Sequence, residues 1–212
     1  MNPFKQWRNE TLAKKMVEFL PTCGYNAYYA QTADEAKAKI LELVPKGASV
    51  AMGGSITLSD MAIVDIFRGE DYKFFERFNV SGYDEQYQVY RQSFLADYLV
   101  TGTNALTKKG ELVNVDSSGN RVAGMILGPE NVIIVCGVNK IVDNINEGLK
   151  RIKKIAPMNC RRLNHKTPCA ESGVCADCND PQRMCNHLLI TFNAWKFQGK
   201  YTLIIINEEL GF

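Results

Sequence analysis

Three apolar runs in this 212-residue chain end in the same way. SVAMGGSIT, YLVTGTNAL and VIIVCGVNK each stop at a glycine followed by small or polar residues. A short apolar run without alternation reads as a strand buried on both faces, the mark of a parallel sheet. A glycine at the exit lets backbone approach a ligand closely. Three such exits therefore predict strands ending together at the carboxyl edge of an open sheet, where α/β proteins place their binding crevice.

The rest of the chain supplies the helices this arrangement needs. Asn2 and Pro3 read as an N-cap and first helical position, and Phe4, Trp7, Leu12, Met16 and Phe19 then recur at helical spacing, which predicts an N-terminal helix within 1–22. The strand GYNAYYA follows; Thr32 and Glu35 form a capping-box pattern opening a helix to Val44, which Pro45 and Gly47 end. Past the strand ASVAM, a helix runs through Met61, Ile63, Val64 and Phe67. YDEQYQVYRQSFL is a helix feeding the strand DYLVTG, and NALTKKGELVNVD reads as two extended pieces joined at Lys109 and Gly110. RVAGMILG is a brief helix, NVIIVCG a buried strand, and IVDNINEGLKRIKKIA a helix capped near Asp143. LLITFNAWKF and KYTLIIIN, around Gln198 and Gly199, read as a closing β-hairpin. The pattern predicts one α/β domain, its sheet largely parallel with helices on both faces.

The crevice draws its candidate ligands from the three exits. Gly53, Gly54, Ser55 and Thr57 precede a helix, whose free N–H groups suit a phosphate or carboxylate. Gly102, Thr103 and Asn104 lie beside the extended pair ending in Asn114 and Asp116, and the next turn supplies Asn120 and Arg121, a guanidinium suited to bidentate binding of an oxyanion. Gly137, Asn139 and Lys140 complete the set. The chain has no GxGxxG, no GxxxxGK[ST] and no GxSxG, which disfavours nicotinamide, P-loop and α/β-hydrolase chemistry. Only two histidines are present, His165 and His187, both far along the chain from the strand exits, so acid–base work falls to carboxylates. Asp116, Glu208 and Glu209 are the candidates.

Four of the seven cysteines, Cys169, Cys175, Cys178 and Cys185, gather in TPCAESGVCADCNDPQRMC, spaced C-x5-C-x2-C-x6-C, with Cys160 upstream as a fifth thiol. The segment has little apolar patterning and reads as a loop, an insert at 160–187, held by something other than packing. Such a set suits zinc or an iron–sulfur cluster, with His165 and His187 as substitute ligands; reduced thiols without metal are the plain alternative. Cys23 and Cys136 sit in apolar stretches and read as core. The N-terminus lacks a signal-peptide pattern and no run is long enough to span a membrane, so a cytoplasmic location is expected, where odd-numbered cysteines favour metal over disulfides. Net charge is +2, yet Lys150, Arg151, Lys153, Lys154, Arg161, Arg162, Lys166 and Arg183 outnumber the acids around the cysteines. That region reads as a solvated face or as an attractor for an anion; a zinc-stapled nucleic-acid module fits poorly with the near-neutral chain.

The blocks TADEAKAKILELVPKGASVAMGGSITL and GTNALTKKGELVNVDSSGNRVAG, with APMNCRRL, the cysteine segment and NEELGF, resemble the LUD (lactate utilization) domain family over nearly the whole chain. The resemblance implies one LUD domain over 1–212, with a fold like the NagB, ribose-5-phosphate isomerase and CoA-transferase superfamily. It implies a crevice for sugar phosphates or acyl-CoA, to which the GGS turn and Thr103, Asn104, Asn114, Asn120 and Arg121 correspond, and it leaves an isomerase or acyl/CoA transferase as an alternative activity. It further implies a role in lactate or organic-acid utilization, with iron–sulfur oxidoreductases as partners; a homo-oligomer is a further expectation.

Overall fold

The computed structural model describes residues 2–212; Met1, part of the expected helix 1–22, lies outside the described residues. The first helix, α1, spans Pro3–Phe19, and the Asn2 side chain caps it by accepting from Phe4 N–H at 2.9 Å. β1 (Asn26–Ala30) leads to α2 (Ala33–Leu43). Thr32 Oγ1 accepts from Glu35 N–H, while the Glu35 carboxylate reaches back to Gln31 N–H, one residue beyond the usual box partner. β2 (Ser49–Met52) opens into two short helices, α3 (Ile56–Asp60) and α4 (Ile63–Phe67), where one was expected; Ala62, at φ 51°, breaks them apart.

A two-residue edge strand, β3 (Lys73–Phe74), precedes α5 (Tyr83–Ser93) and β4 (Tyr98–Gly102). β5 (Ala105–Thr107) and β6 (Leu112–Asp116) form the expected antiparallel pair, turning at Gly110 with φ 84°. Then come α6 (Asn120–Leu127), β7 (Asn131–Gly137), β8 (Ile141–Val142) and α7 (Ile145–Arg162). α8 (Pro168–Ser172), β9 (His187–Thr191) and β10 (Tyr201–Ile206) close the chain.

The main sheet runs β1-β10-β7-β4-β2-β3, all parallel. Along β7 the side chains alternate: Val132, Ile134 and Cys136 pack with Met16 and Leu20 on one face, Ile133 and Val135 with Ile40, Leu58 and Phe67 on the other. Helices on both faces thus bury the four central strands almost completely, as the unalternating apolar runs required, while the edge strands β1 and β3 stay partly exposed. No helix among the described residues is long and apolar enough to cross a membrane.

The expected closing β-hairpin is not formed. β9 pairs antiparallel with β6 in a second sheet, β8-β5-β6-β9, whereas β10 inserts between β1 and β7 of the first. All six β10 residues are buried, while His187 and Leu188 of β9 are exposed. Burial on both faces drives β10 into the sheet centre, and the turn between them joins two layers. α7 also exceeds its expected end: it passes through the buried Pro157 to Arg162, although an interior proline costs a helix about 3 kcal/mol. Packing of Ile152, Ala156 and Cys160 outweighs that cost, and Gly148 seats the helix on the second sheet, where a Cβ would meet Val113 at 3.1 Å.

Candidate functional site

β2, β4 and β7 end side by side, and a cleft opens at their carboxyl edge with α7 as its far wall. The cleft brings together Gly54, Ser55, Thr57, Gly102, Thr103, Asn104, Arg121 and Lys140. α7 contributes Arg151, Asn159 and Arg162, which sequence reasoning had not assigned to it; Met184, Cys185, Gly211 and Phe212 complete the rim. Among the described residues no Asp, Glu or His side chain lines it.

Arg121 is an organiser rather than a free hook. Its Nε donates to Asp116 Oδ1 at 2.8 Å, one terminal nitrogen to Gly102 C=O at 3.1 Å, and the other to Asn104 Oδ1 and Val115 C=O at 2.9 and 3.0 Å. Asp116 is filled in turn, since its second oxygen accepts from Val122 N–H at 3.0 Å. Both side chains are buried. This pair costs the cleft a carboxylate: Asp116 neutralises Arg121 and has no lone pair aimed at a substrate. Asn104 belongs to the same brace, accepting from Val115 N–H and donating its own N–H to Asn114 Oδ1.

Arg151 braces the other side, donating to the carbonyls of Asn104 (2.8 Å), Asn139 (3.2 Å) and Phe212. Backbone oxygens thus hold the guanidinium in place from three sides. Arg162 is held only by Asn159 Oδ1, at 2.8 and 3.1 Å. Lys140 is the most buried cation, 6% exposed, and its ammonium has one polar partner, Thr57 Oγ1 at 2.7 Å. Two of its three N–H donors are left over. Burial pulls Lys140 down to about 8; the nearby Cys136 thiol opposes it, Arg151 and Arg121 press the same way as burial, and the Asp60 carboxylate opposes it more weakly. A buried cation in a wall of cations wants an anion.

The remaining expected residues lie off the cleft. Gly53 is there for packing: a Cβ would meet Thr101 Oγ1 at 2.6 Å and the Arg121 stem at 3.1 Å. Gly137 likewise permits close passage of Asn139 and the Glu208 carbonyl. Asn120 faces a separate small pocket, Asn139 donates to Leu210 C=O, and Asn114 is fully buried beneath Asn104. Glu209 pairs with Lys5 at 2.6 Å, and neither it nor Glu208 reaches the cleft. α3, expected to offer its positive end, is only five residues long, and its first N–H groups are partly served by the Ser55 hydroxyl, which accepts from Leu58 N–H. Charge in the cleft comes from side chains instead. The signal for Arg151 and Arg162 was present in the basic count, but nothing in a one-dimensional pattern said which face of α7 is covered.

The cysteines form a second feature. Cys160 projects from α7 and Cys169 from α8, both buried; with the half-buried Cys175, Cys178 and Cys185 they line one cavity of about 230 Å³. Burial, and then the neighbouring Cys160 and Cys175 thiols, push Cys185 up to about 11. The segment is stitched by polar contacts. Arg183 donates to the carbonyls of Cys178 and, at 3.0 Å, Cys185; Lys153 pairs with Asp177 at 3.1 Å; Lys166 N–H donates to Gln182 Oε1 at 2.7 Å. His165 is taken up by the Gln182 carbonyl and His187 lies in β9 opposite Asp116, so neither substitute ligand lines the cavity. Among the described residues no three Cys, His, Asp or Glu side chains converge closely enough to hold a single ion. The thiols surround a space. Val115, Ile152, Ala156, Met184 and Cys185 line this cavity and the cleft alike, so the two adjoin.

Comparison with known proteins agrees with this fold. A DUF162 family protein from Deinococcus radiodurans, of known crystal structure, superposes with a TM-score of 0.54 at 14% identity, covering 93% of this chain and 97% of that one. The delta subunit of eIF2B from Chaetomium thermophilum is a partial likeness, with a TM-score of 0.37 at 12% identity over 64% of this chain and 54% of that one. No curated protein matches in sequence. The LUD domain matches residues 13–206, and the chain belongs to the LUD domain family.

Proposed function

We propose that the protein binds a small carboxylate or phosphate anion at the carboxyl edge of its sheet, in the service of lactate or related organic-acid utilization. The observation that carries this reading is Lys140, a buried ammonium whose one polar partner among the described residues is a hydroxyl, in a cleft that also holds Arg121, Arg151 and Arg162 and, among those residues, no acidic side chain. A bound oxyanion supplies a countercharge and accepts from the two remaining ammonium donors, while Arg162 and Arg151 face it from the α7 side. The family supports the organic-acid part of the reading. A carboxylate-driven isomerase or transferase draws less support, because Asp116 is spent on Arg121 and both C-terminal glutamates lie elsewhere. Lys140, held near 8, is the group poised to carry a proton in the cleft.

The test is a thermal-shift screen against L-lactate, pyruvate, inorganic phosphate, a sugar phosphate and coenzyme A, followed by calorimetry on whatever stabilises. The expected result is saturable binding that weakens with salt and drops at least tenfold in Lys140→Met. Binding of none of them, or equal binding by the variant, would overturn the reading.

A further inference from the structure

We propose that the five-cysteine cavity is the seat of a polynuclear iron–sulfur cluster lying directly against the anion cleft, with Cys185 on the wall the two share. The juxtaposition rests on the anion-binding reading above; the cluster rests on the thiols. Cys160, Cys169, Cys175, Cys178 and Cys185 line one space of about 230 Å³ yet no three of them converge on a point. A lone zinc ion needs its thiolates gathered at about 2.3 Å from one centre. Thiols spaced around a volume suit a body whose several metal atoms each take a cysteine.

The surroundings fit such an occupant. Leu149, Ile152 and Ala156 give the cavity an apolar side, and Arg183, clipped to the Cys178 and Cys185 carbonyls, brings fixed positive charge to thiolate ligands. Each ligating thiol releases its proton to solvent as its sulfur bonds iron. Five thiols exceed the four such a cluster takes. Cys185 is the one cysteine lining both cavity and cleft, so an anion held by Lys140 and Arg162 lies next to the cluster's Cys185 side.

The experiment is anaerobic reconstitution of the full chain with ferrous iron and sulfide, followed by iron and acid-labile sulfide analysis and by electron paramagnetic resonance of the reduced protein, with and without inorganic phosphate or L-lactate. The expected result is iron and sulfide in equal amounts with visible charge-transfer absorption, and a resonance that shifts when the anion is added to wild type and stays put in Lys140→Met. Stoichiometric zinc without colour, or no bound metal, would overturn the cluster. A cluster whose resonance ignores the anion would overturn the shared wall. Calorimetry on the same samples separates the two readings: absent heat of anion binding counts against the cleft and not against the iron and sulfide. Removing the metal from wild type with a chelator is a further check, with loss of the absorption and faster proteolysis at 169–185 as the expected outcome and an unchanged spectrum as the contrary one.

Discussion

The cleft and the thiol cavity share a wall but are built on different scales. The cleft gathers side chains from Gly54 to Phe212, and two arginines hold it by donating to backbone carbonyls of loops far apart in the chain. The cavity draws its thiols from one stretch, Cys160–Cys185, and Arg183 plays the same bracing part within it. One device, a guanidinium fork over carbonyls, serves both. In the cleft it fixes the fold; in the cavity it fixes one loop. Damage to the first brace is therefore global, and damage to the second stays local.

The sharpest way to break the comparison is Asp116→Ala, which strands Arg121 as a buried unpaired charge. Chemical denaturation is expected to show a loss of about 3–5 kcal/mol, with much of it recovered when Arg121→Met is added. A mild effect would mean that the brace does not hold the three exits.

Lys140→Met comes next and acts with two signs. Held near 8 against an ordinary 10.5, the buried ammonium destabilises the anion-free fold by about 3 kcal/mol, so the variant should unfold later without anion and gain less from it. The sign follows from linkage. A lysine whose folded value is depressed imposes its full cost below about pH 8, and the cost is relieved as pH rises from about 8 to 10.5. Wild-type stability should climb toward that of the variant across this window, while anion affinity falls; denaturation and calorimetry in a pH series read both.

Arg183→Ala is expected to speed hydrogen exchange across 175–186 and to lower global stability by less than about 2 kcal/mol. Equal loosening throughout the molecule would erase the distinction between the braces. Smallest is Lys153→Ala, which removes an exposed pair with Asp177; no change in the unfolding midpoint is expected.

The parallel core and its three exits were legible because burial on both faces leaves an unalternating apolar run, and the caps at Asn2 and Thr32 because their side chains act within a few residues. The pairing of β9 was not. Its neighbour β10 lies just ahead in sequence, and two apolar runs across a glycine look like a hairpin unless the fuller burial of YTLIII is weighed against the half-exposed HLLIT. Arg121 and Lys140 both read as candidate anion ligands, Arg121 as the bidentate one. The chain does not reveal that Asp116, five residues before Arg121, comes round to neutralise it, or that the Lys140 ammonium meets a hydroxyl in place of a carboxylate. Arg151 and Arg162 resembled a solvated face for the same reason: what covers a helix is a property of the packed molecule.

The most direct test of the central claim is the titration of the Lys140 ammonium itself, followed by nitrogen-15 NMR with and without saturating phosphate or L-lactate. The account predicts a midpoint near 8 in the free protein, moving upward by a unit or more when the anion binds, because an opposite charge beside a buried ammonium favours its protonated form. A midpoint near 10.5 from the start, or one that stays at 8 with either anion at saturating concentration, would contradict it.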